Sequence, residues 1–110
     1  MIDDTLAKIE DRIRNSGSIA PERREELLTL VSKLKGEVND LSKTHSEEAQ
    51  SIAGFTGVSA HEATRQEPNP ELLKVSIKGL QASVDGFEKS HPKLVRIVDS
   101  ICQTLSNLGI

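Results

Sequence analysis

The sequence predicts an all-α protein, an antiparallel helical hairpin or bundle with coiled-coil-like heptad seams. Apolar side chains in the last third alternate in steps of four and three residues, the spacing of a helix that buries one side. Aromatic residues make up only 2% of the chain, which suits thin layers of Leu, Ile and Val better than strands. The spacing is kept by Leu73, Ile77, Leu80, Val84, Phe87, His91, Leu94, Val98, Ile101, Leu105 and Leu108.

With 110 residues the chain has room for one domain, spanning 1–110. Its first predicted helix covers residues 2–15, where Ile2, Leu6, Ile9 and Ile13 recur at helical spacing. A helix of this length is marginal in water by itself. We therefore expect it to dock on another part of the chain.

A second helix is predicted over residues 21–52. Pro21 suits the first helical position, where a missing N–H costs nothing. Beyond Leu41 the apolar spacing weakens to His45, Glu48 and Ile52. The stronger part of its seam consists of Leu27, Val31, Leu34, Val38 and Leu41.

Residues 53–69 are predicted to form a partly disordered linker. Gly54 and Gly57 disfavour helix, and the segment ends in the proline-rich run before Pro70. Asn69 is a good helix cap and Pro70 a good first residue, so a third helix is expected over 70–90.

The last predicted helix covers residues 92–110 and follows His91-Pro92. A proline inside a helix removes one hydrogen bond and clashes with the preceding turn. Because the heptad phase survives the interruption, we expect a long C-terminal helix kinked at His91-Pro92 and continuing along nearly the same axis. Residues 70–110 would then span roughly 60 Å.

These lengths predict an assembly. The first helix would lie beside the start of the second and beside residues 92–110, leaving the other end with only two helices. Apolar side chains there would stay half exposed and drive formation of a two-fold homodimer, the commonest closed assembly. The expected interaction seam consists of Leu73, Ile77, Leu80, Val84 and Phe87, and Leu72 and Val75 also belong to the half-exposed set.

Catalytic, cofactor and metal sites are not expected. His45, His61 and His91 lack the i,i+3 or i,i+4 spacing of paired metal ligands, so we interpret them as unrelated. The alternative for His91 is a pH-dependent contact. Cys102 adjoins the seam and is expected to be a buried structural thiol, with Asp99 opposing its ionisation.

Composition also bears on partners and location. The net charge is −3 and the basic residues are dispersed, which argues against nucleic acid as a partner. No run approaches the ~18 apolar residues of a membrane span. The acidic first residues lack the pattern of a secretory signal, and the single cysteine cannot form an internal disulfide. We therefore expect a cytoplasmic protein.

The C-terminus ends on apolar residues, Leu108-Gly109-Ile110. The interpretation we favour is a cap in which Gly109 turns left-handed and Ile110 folds back. The alternative is a short recognition tail that includes Asn107.

Two C-terminal segments carry a resemblance. Residues 84–94 contain an F-E-x-x-H-P-x-L motif, and residues 101–110 end in L-x-N-x-G-I. Both resemble the signature of the Domain of Unknown Function 4404 family, and residues 19–31 are similar to that family's second helix start. Residues 42–66 are longer than in its usual members. The resemblance implies a bacterial, cytoplasmic, all-helical protein of no known activity, and marks His91, Pro92, Asn107 and Gly109.

The function expected from the sequence is non-enzymatic, through self-association or binding to another helical protein. The alternative is a small regulatory or sensor module that engages a partner through its linker or its C-terminal tail. An enzyme is disfavoured because no nucleophile–base pair can be recognised.

Overall fold

The computed structural model describes residues 2–108, which form five α-helices and no β-strand. The all-α prediction is therefore confirmed. Buried Leu, Ile, Val and Ala side chains from all five helices form one cluster, with Ile19 added from the first connection and Val84 from the last. The helices are α1 (Ile2–Asn15), α2 (Pro21–Ser42), α3 (Ser46–Thr64), α4 (Pro70–Ser83) and α5 (Pro92–Leu108).

The first helix has the predicted bounds, and α2 begins at Pro21 as predicted. Leu6 and Ile13 on α1 are fully buried, which supplies the docking that so short a helix needs. The connection to α2 is closed by Arg24, whose Nη2 donates to the carbonyl oxygens of Ser16 at 2.9 Å and Ile19 at 3.2 Å.

The second helix is shorter than predicted, because it ends at Ser42 rather than at residue 52. His45 leaves the helical region with φ −133° and ψ 65°. The His45 N–H nevertheless bonds back to the carbonyl oxygen of Leu41 at 2.8 Å, so the helix closes with a tight turn. The weakening of the apolar spacing after Leu41 coincides with this end.

The predicted linker over 53–69 is wrong, since most of it belongs to α3. Besides Ile52, this helix buries small side chains at helical spacing: Ala49, Ala53, Thr56, Ser59 and Ala60. Glycine costs about 1 kcal/mol in a helix interior, but packing offsets that cost. A Cβ at Gly57 would lie 3.6 Å from Cδ1 of Ile9, so α1 and α3 approach closely there.

Helix α3 packs against each of the other four helices. It occupies the place beside α1 where α5 was expected, and α1 lies against α2 and α3 instead. The prediction that α1 packs on residues 92–110 is therefore wrong. The small side chains of α3 explain its central position, because they allow several helices to come close to one axis.

The prediction of one long C-terminal helix is also wrong, because residues 84–91 interrupt it. Helix α4 begins at Pro70 as predicted but ends at Ser83, not at residue 90. Gly86 adopts φ +93°, a left-handed conformation that other residues rarely adopt, and breaks the helix. The described chain is only 37 Å along its longest axis. A helix continuing along one axis would need roughly 60 Å. Helices α4 and α5 therefore do not share one axis.

Helix α5 starts at Pro92, the predicted restart, and lies against α2, α3 and α4. Its buried seam includes Leu94, Val98, Ile101 and Leu105, as the heptad spacing predicts. The Thr104 hydroxyl donates to a carboxylate oxygen of Glu26 at 2.8 Å, which ties α5 to the first part of α2.

Candidate functional site

The predicted interaction seam lies inside the chain. Leu73 and Ile77 are only 6% and 8% exposed, and Leu80 is fully buried. The prediction that these side chains stay half exposed is therefore wrong, because α3 covers them where no third helix was expected. Val84 is buried as well, and Phe87 is partly buried against the core.

A different apolar surface faces solvent on the hairpin of α3 and α4. It consists of Phe55, Val58, Leu72 and Val75, and we call these four residues the outer face. Their exposed fractions are 41%, 49%, 46% and 63% in that order. Leu72 and Val75 were predicted to stay half exposed, and both are exposed in the structure. Phe55 and Val58 fell in the predicted linker, so their membership of a helix surface was missed.

The four residues come together because α3 and α4 are antiparallel. Only residues 65–69 separate the two helices, and so short a connection reverses the chain. The Phe55 ring lies directly on Gly79, so that a Cβ at Gly79 would overlap the ring. This contact sets the register of the hairpin, and counting along both helices from it brings Val58 level with Val75.

A cluster of three rings forms where the connection between α2 and α3 meets the connection between α4 and α5. The ring centroids of His45 and Phe87 are 5.4 Å apart, and those of Phe87 and His91 are 5.5 Å apart. The two histidine rings are 6.3 Å apart, and all three pairs are edge to face. The prediction that the histidines are unrelated is therefore wrong for His45 and His91.

The hydrogen bonds around the ring cluster explain why the F-E-x-x-H-P segment folds as it does. The His91 N–H donates to the Phe87 carbonyl oxygen at 2.8 Å, and the His91 carbonyl oxygen accepts from the Val95 N–H at 3.3 Å. Glu88 accepts from the Gly86 N–H at 2.7 Å. Phe87, Glu88 and His91 thus shape the turn, and Pro92 starts α5 from it.

Each of the two histidines has its Nδ1 beside a neighbouring hydroxyl. The Thr44 Oγ1 lies 2.8 Å from the His45 Nδ1, and the Ser90 Oγ lies 2.9 Å from the His91 Nδ1. His61 sits elsewhere on α3, with its Nε2 3.9 Å from a Glu62 oxygen. Among the side chains that the structure describes, no three from His, Cys, Asp or Glu are placed to share a metal ion.

Cys102 is buried on α5, as predicted. Burial, together with a smaller effect of the nearby Asp99 carboxylate, raises the pKa of its thiol to about 11. Both effects disfavour the thiolate, the form that reacts as a nucleophile. The environment is therefore that of a structural thiol.

An open cleft of about 980 Å³ lies where the ends of several elements meet. Its lining includes the connection between α1 and α2, residues 63–66 and Leu108. Asn107, which precedes Leu108 in the sequence, is exposed at the end of α5. The cap expected from Gly109 lies outside the described residues, as does Ile110.

No helix within residues 2–108 is both long enough and apolar enough to cross a bilayer. The fold is thus a five-helix bundle whose polar surface is interrupted by the outer face. The family comparison matches residues 2–110 to DUF4404, described as a domain of unknown function, and the chain belongs to that family. The match includes residues 42–66. Neither the curated proteins nor the solved structures contain a match to this chain.

Proposed function

We propose that this protein is a non-enzymatic helical module that works by self-association through the outer face of its α3–α4 hairpin. The observation that carries the proposal is the exposure of Phe55, Val58, Leu72 and Val75, four large apolar side chains on one hairpin. Clustered apolar residues of this size on an otherwise polar surface are typical of protein contacts. The partner in this proposal is a second copy, with another helical protein as the alternative.

The energy available at this surface supports association. Completing the burial of a Leu- or Phe-sized side chain contributes about 1.5–3 kcal/mol when it starts fully exposed, and these four start about half exposed. Several such contributions are needed to offset the entropy lost when two molecules join. We therefore expect a dimer that dissociates on dilution rather than a permanent one.

The proposed setting is the bacterial cytoplasm, where a lone free thiol such as Cys102 is common. Nucleic acid and membrane are not proposed as partners. Basic residues are interspersed with acidic ones along the helices, so that no continuous basic stripe supports phosphate binding.

The test is the solution mass measured by light scattering after size exclusion, over a range of loading concentrations. We expect the wild-type mass to rise toward twice the chain mass of 12.0 kDa as concentration increases. Val75→Asp should remain monomeric with unchanged helix content. Thr29→Asp, a charge added at an exposed site on α2, is the matched control. A wild-type mass of one chain at every concentration would refute self-association.

The second candidate is a small regulatory or sensor module that engages a partner at the C-terminal end of the bundle. The open cleft favours it, because the connection 65–69 and the end of α5 meet there. Lys8, Arg12 and Arg65 line this cleft together with Asp11, which gives it an excess of positive charge. Deleting residues 107–110 should abolish such binding while leaving the dimer intact.

A further inference from the structure

We propose that the two copies join through α4 itself, with the two α4 helices antiparallel and crossing at Val75. This inference rests on the proposed self-association and adds its geometry. Val75 is the most exposed large apolar residue described, at 63%. It lies at the middle of α4, and an isologous contact needs a residue that meets its own counterpart on the symmetry axis.

The residues around Val75 form two rows on the exposed side of α4. One row contains Glu71 and Lys78, and the other contains Leu72 and Gly79. The members of each row are seven residues apart, which is nearly two full turns, so each row lies on one side of Val75. Both rows have their midpoint within half a residue of Val75.

An antiparallel pair brings each row against the same row of the second copy. Glu71 then faces Lys78 of the second copy, and Lys78 faces its Glu71, so that two opposite-charge contacts close one side. On the other side, Leu72 faces Gly79 of the second copy. Charge and size are therefore both complementary under the two-fold axis.

The charged pair is available for this contact. Glu71 and Lys78 are exposed, and neither side chain makes a hydrogen bond or ion pair with the part of the chain that the structure describes. They cannot pair with each other within one helix, because seven residues separate them by about 10 Å along the axis. Antiparallel pairing supplies the partner that each lacks in the single chain.

The apolar row has a matching shape. Gly79 has no side chain, and the Phe55 ring rests against it from α3. The Leu72 side chain of the second copy would enter beside this ring and cover its exposed edge.

The same pattern disfavours a parallel pair. Two parallel helices place opposite rows together, so that Glu71 and Lys78 of one copy would face Leu72 and Gly79 of the other. Charged groups would then lose water against apolar side chains without gaining a partner, which is unfavourable. The arrangement of α4 therefore selects the antiparallel orientation.

The experiment measures the dimer dissociation constant of the full chain by sedimentation equilibrium. Glu71→Lys and Lys78→Glu each place like charges opposite one another at both ends, and each should weaken the dimer tenfold or more. The double variant Glu71→Lys/Lys78→Glu restores opposite charges and should recover the wild-type value. Lys74→Glu carries the same charge change on the same helix, about a quarter turn away from the contact, and should have little effect.

Two results would overturn this inference. A wild-type dimer whose affinity responds equally to Lys74→Glu and Lys78→Glu, with no recovery in the double variant, would refute the α4 pairing while retaining self-association. A wild-type chain that stays monomeric throughout would refute both proposals, and binding of a different helical protein to the outer face would then be the surviving explanation.

A disulfide trap provides an independent measurement. Val75→Cys places two thiols next to the symmetry axis, and mild oxidation should link two copies covalently. Lys74→Cys is the matched control, because its side chain lies about a quarter turn from the proposed contact. Linkage of the Lys74→Cys variant as fast as that of Val75→Cys would contradict the proposed crossing point.

Discussion

Helix α4 carries apolar side chains on two sides, of which one is buried and the other exposed. On the inner side Leu73, Ile77 and Leu80 are buried against α3 and the core, whereas on the outer side Leu72 and Val75 remain exposed. Both sides carry aliphatic residues, and Leu72 and Leu73 are adjacent in sequence. The difference shows that apolar character marks a side chain for burial without specifying whether its own chain or another molecule will cover it.

The largest expected effect comes from truncating matched leucines on the two sides of α4. Leu80→Ala removes a fully buried side chain and should lower the free energy of unfolding by about 2–5 kcal/mol. Leu72→Ala removes a side chain that is 46% exposed, and should lower it by less than about 1 kcal/mol. Urea denaturation at one fixed low protein concentration measures both. Equal losses would contradict the distinction between the sides.

The thiol of Cys102 provides a second test of the inner core. Burial, with a smaller contribution from Asp99, raises its pKa from 9.0 to about 11. At pH 8 the folded chain should therefore contain roughly a hundredfold less thiolate than the unfolded chain. Iodoacetamide should label the native protein correspondingly more slowly than the urea-unfolded protein, and native labelling at the unfolded rate would contradict the buried position.

The sign of the associated pH dependence follows from that raised pKa. The folded state holds the thiol proton more tightly than the unfolded state, so the stabilising contribution is complete below the unfolded pKa near 9.0. It is lost as the pH rises from there toward the folded value of about 11. Cys102→Ser should remove this part of the alkaline loss of stability.

The smallest expected effect concerns Gly79, which lies between the two sides of α4. A methyl group at Gly54 on α3 would meet open space, so Gly54→Ala should stabilise the helix by about 0.5–1 kcal/mol. A methyl group at Gly79 would overlap the Phe55 ring, so Gly79→Ala should lose that gain or destabilise slightly. Thermal unfolding of both variants provides the measurement.

The Phe55 ring is the stated cause of the Gly79 effect, and it can be removed. In a Phe55→Ala background, Gly79→Ala should again be stabilising, by about the same amount as Gly54→Ala. If Gly79→Ala stays neutral or destabilising without the ring, the close contact between α3 and α4 is not what sets its cost.

Much of the fold could be predicted from the sequence where local signals determine the start of a helix. Pro21, Pro70 and Pro92 each begin a helix as predicted, and the Asn69 side chain accepts the expected capping hydrogen bond from the Leu72 N–H at 3.2 Å. Such signals depend on one backbone turn and a few neighbouring atoms, so they need no knowledge of the rest of the chain.

The candidate site could be predicted only in part, because α3 was not recognised from the sequence. Its glycines and small side chains have weak helix signals, and its stability comes from contacts with the four other helices. A repeat of small residues at helical spacing from Ala49 through Ala53 to Ala60 was the available clue. If residues 53–69 are taken as a linker, no helix covers the inner side of α4, and Phe55 and Val58 belong to no helix surface.

The sequence by itself determined the all-α class, the starts of α1, α2, α4 and α5 and the apolar spacing of α5, because these follow from short-range backbone and side-chain chemistry. Tertiary structure alone decided the divergence of α4 and α5, the meeting of His45 with Phe87 and His91, and which side of α4 faces solvent. These features depend on where distant segments of the chain lie, and heptad spacing is the same whether a helix continues or turns away.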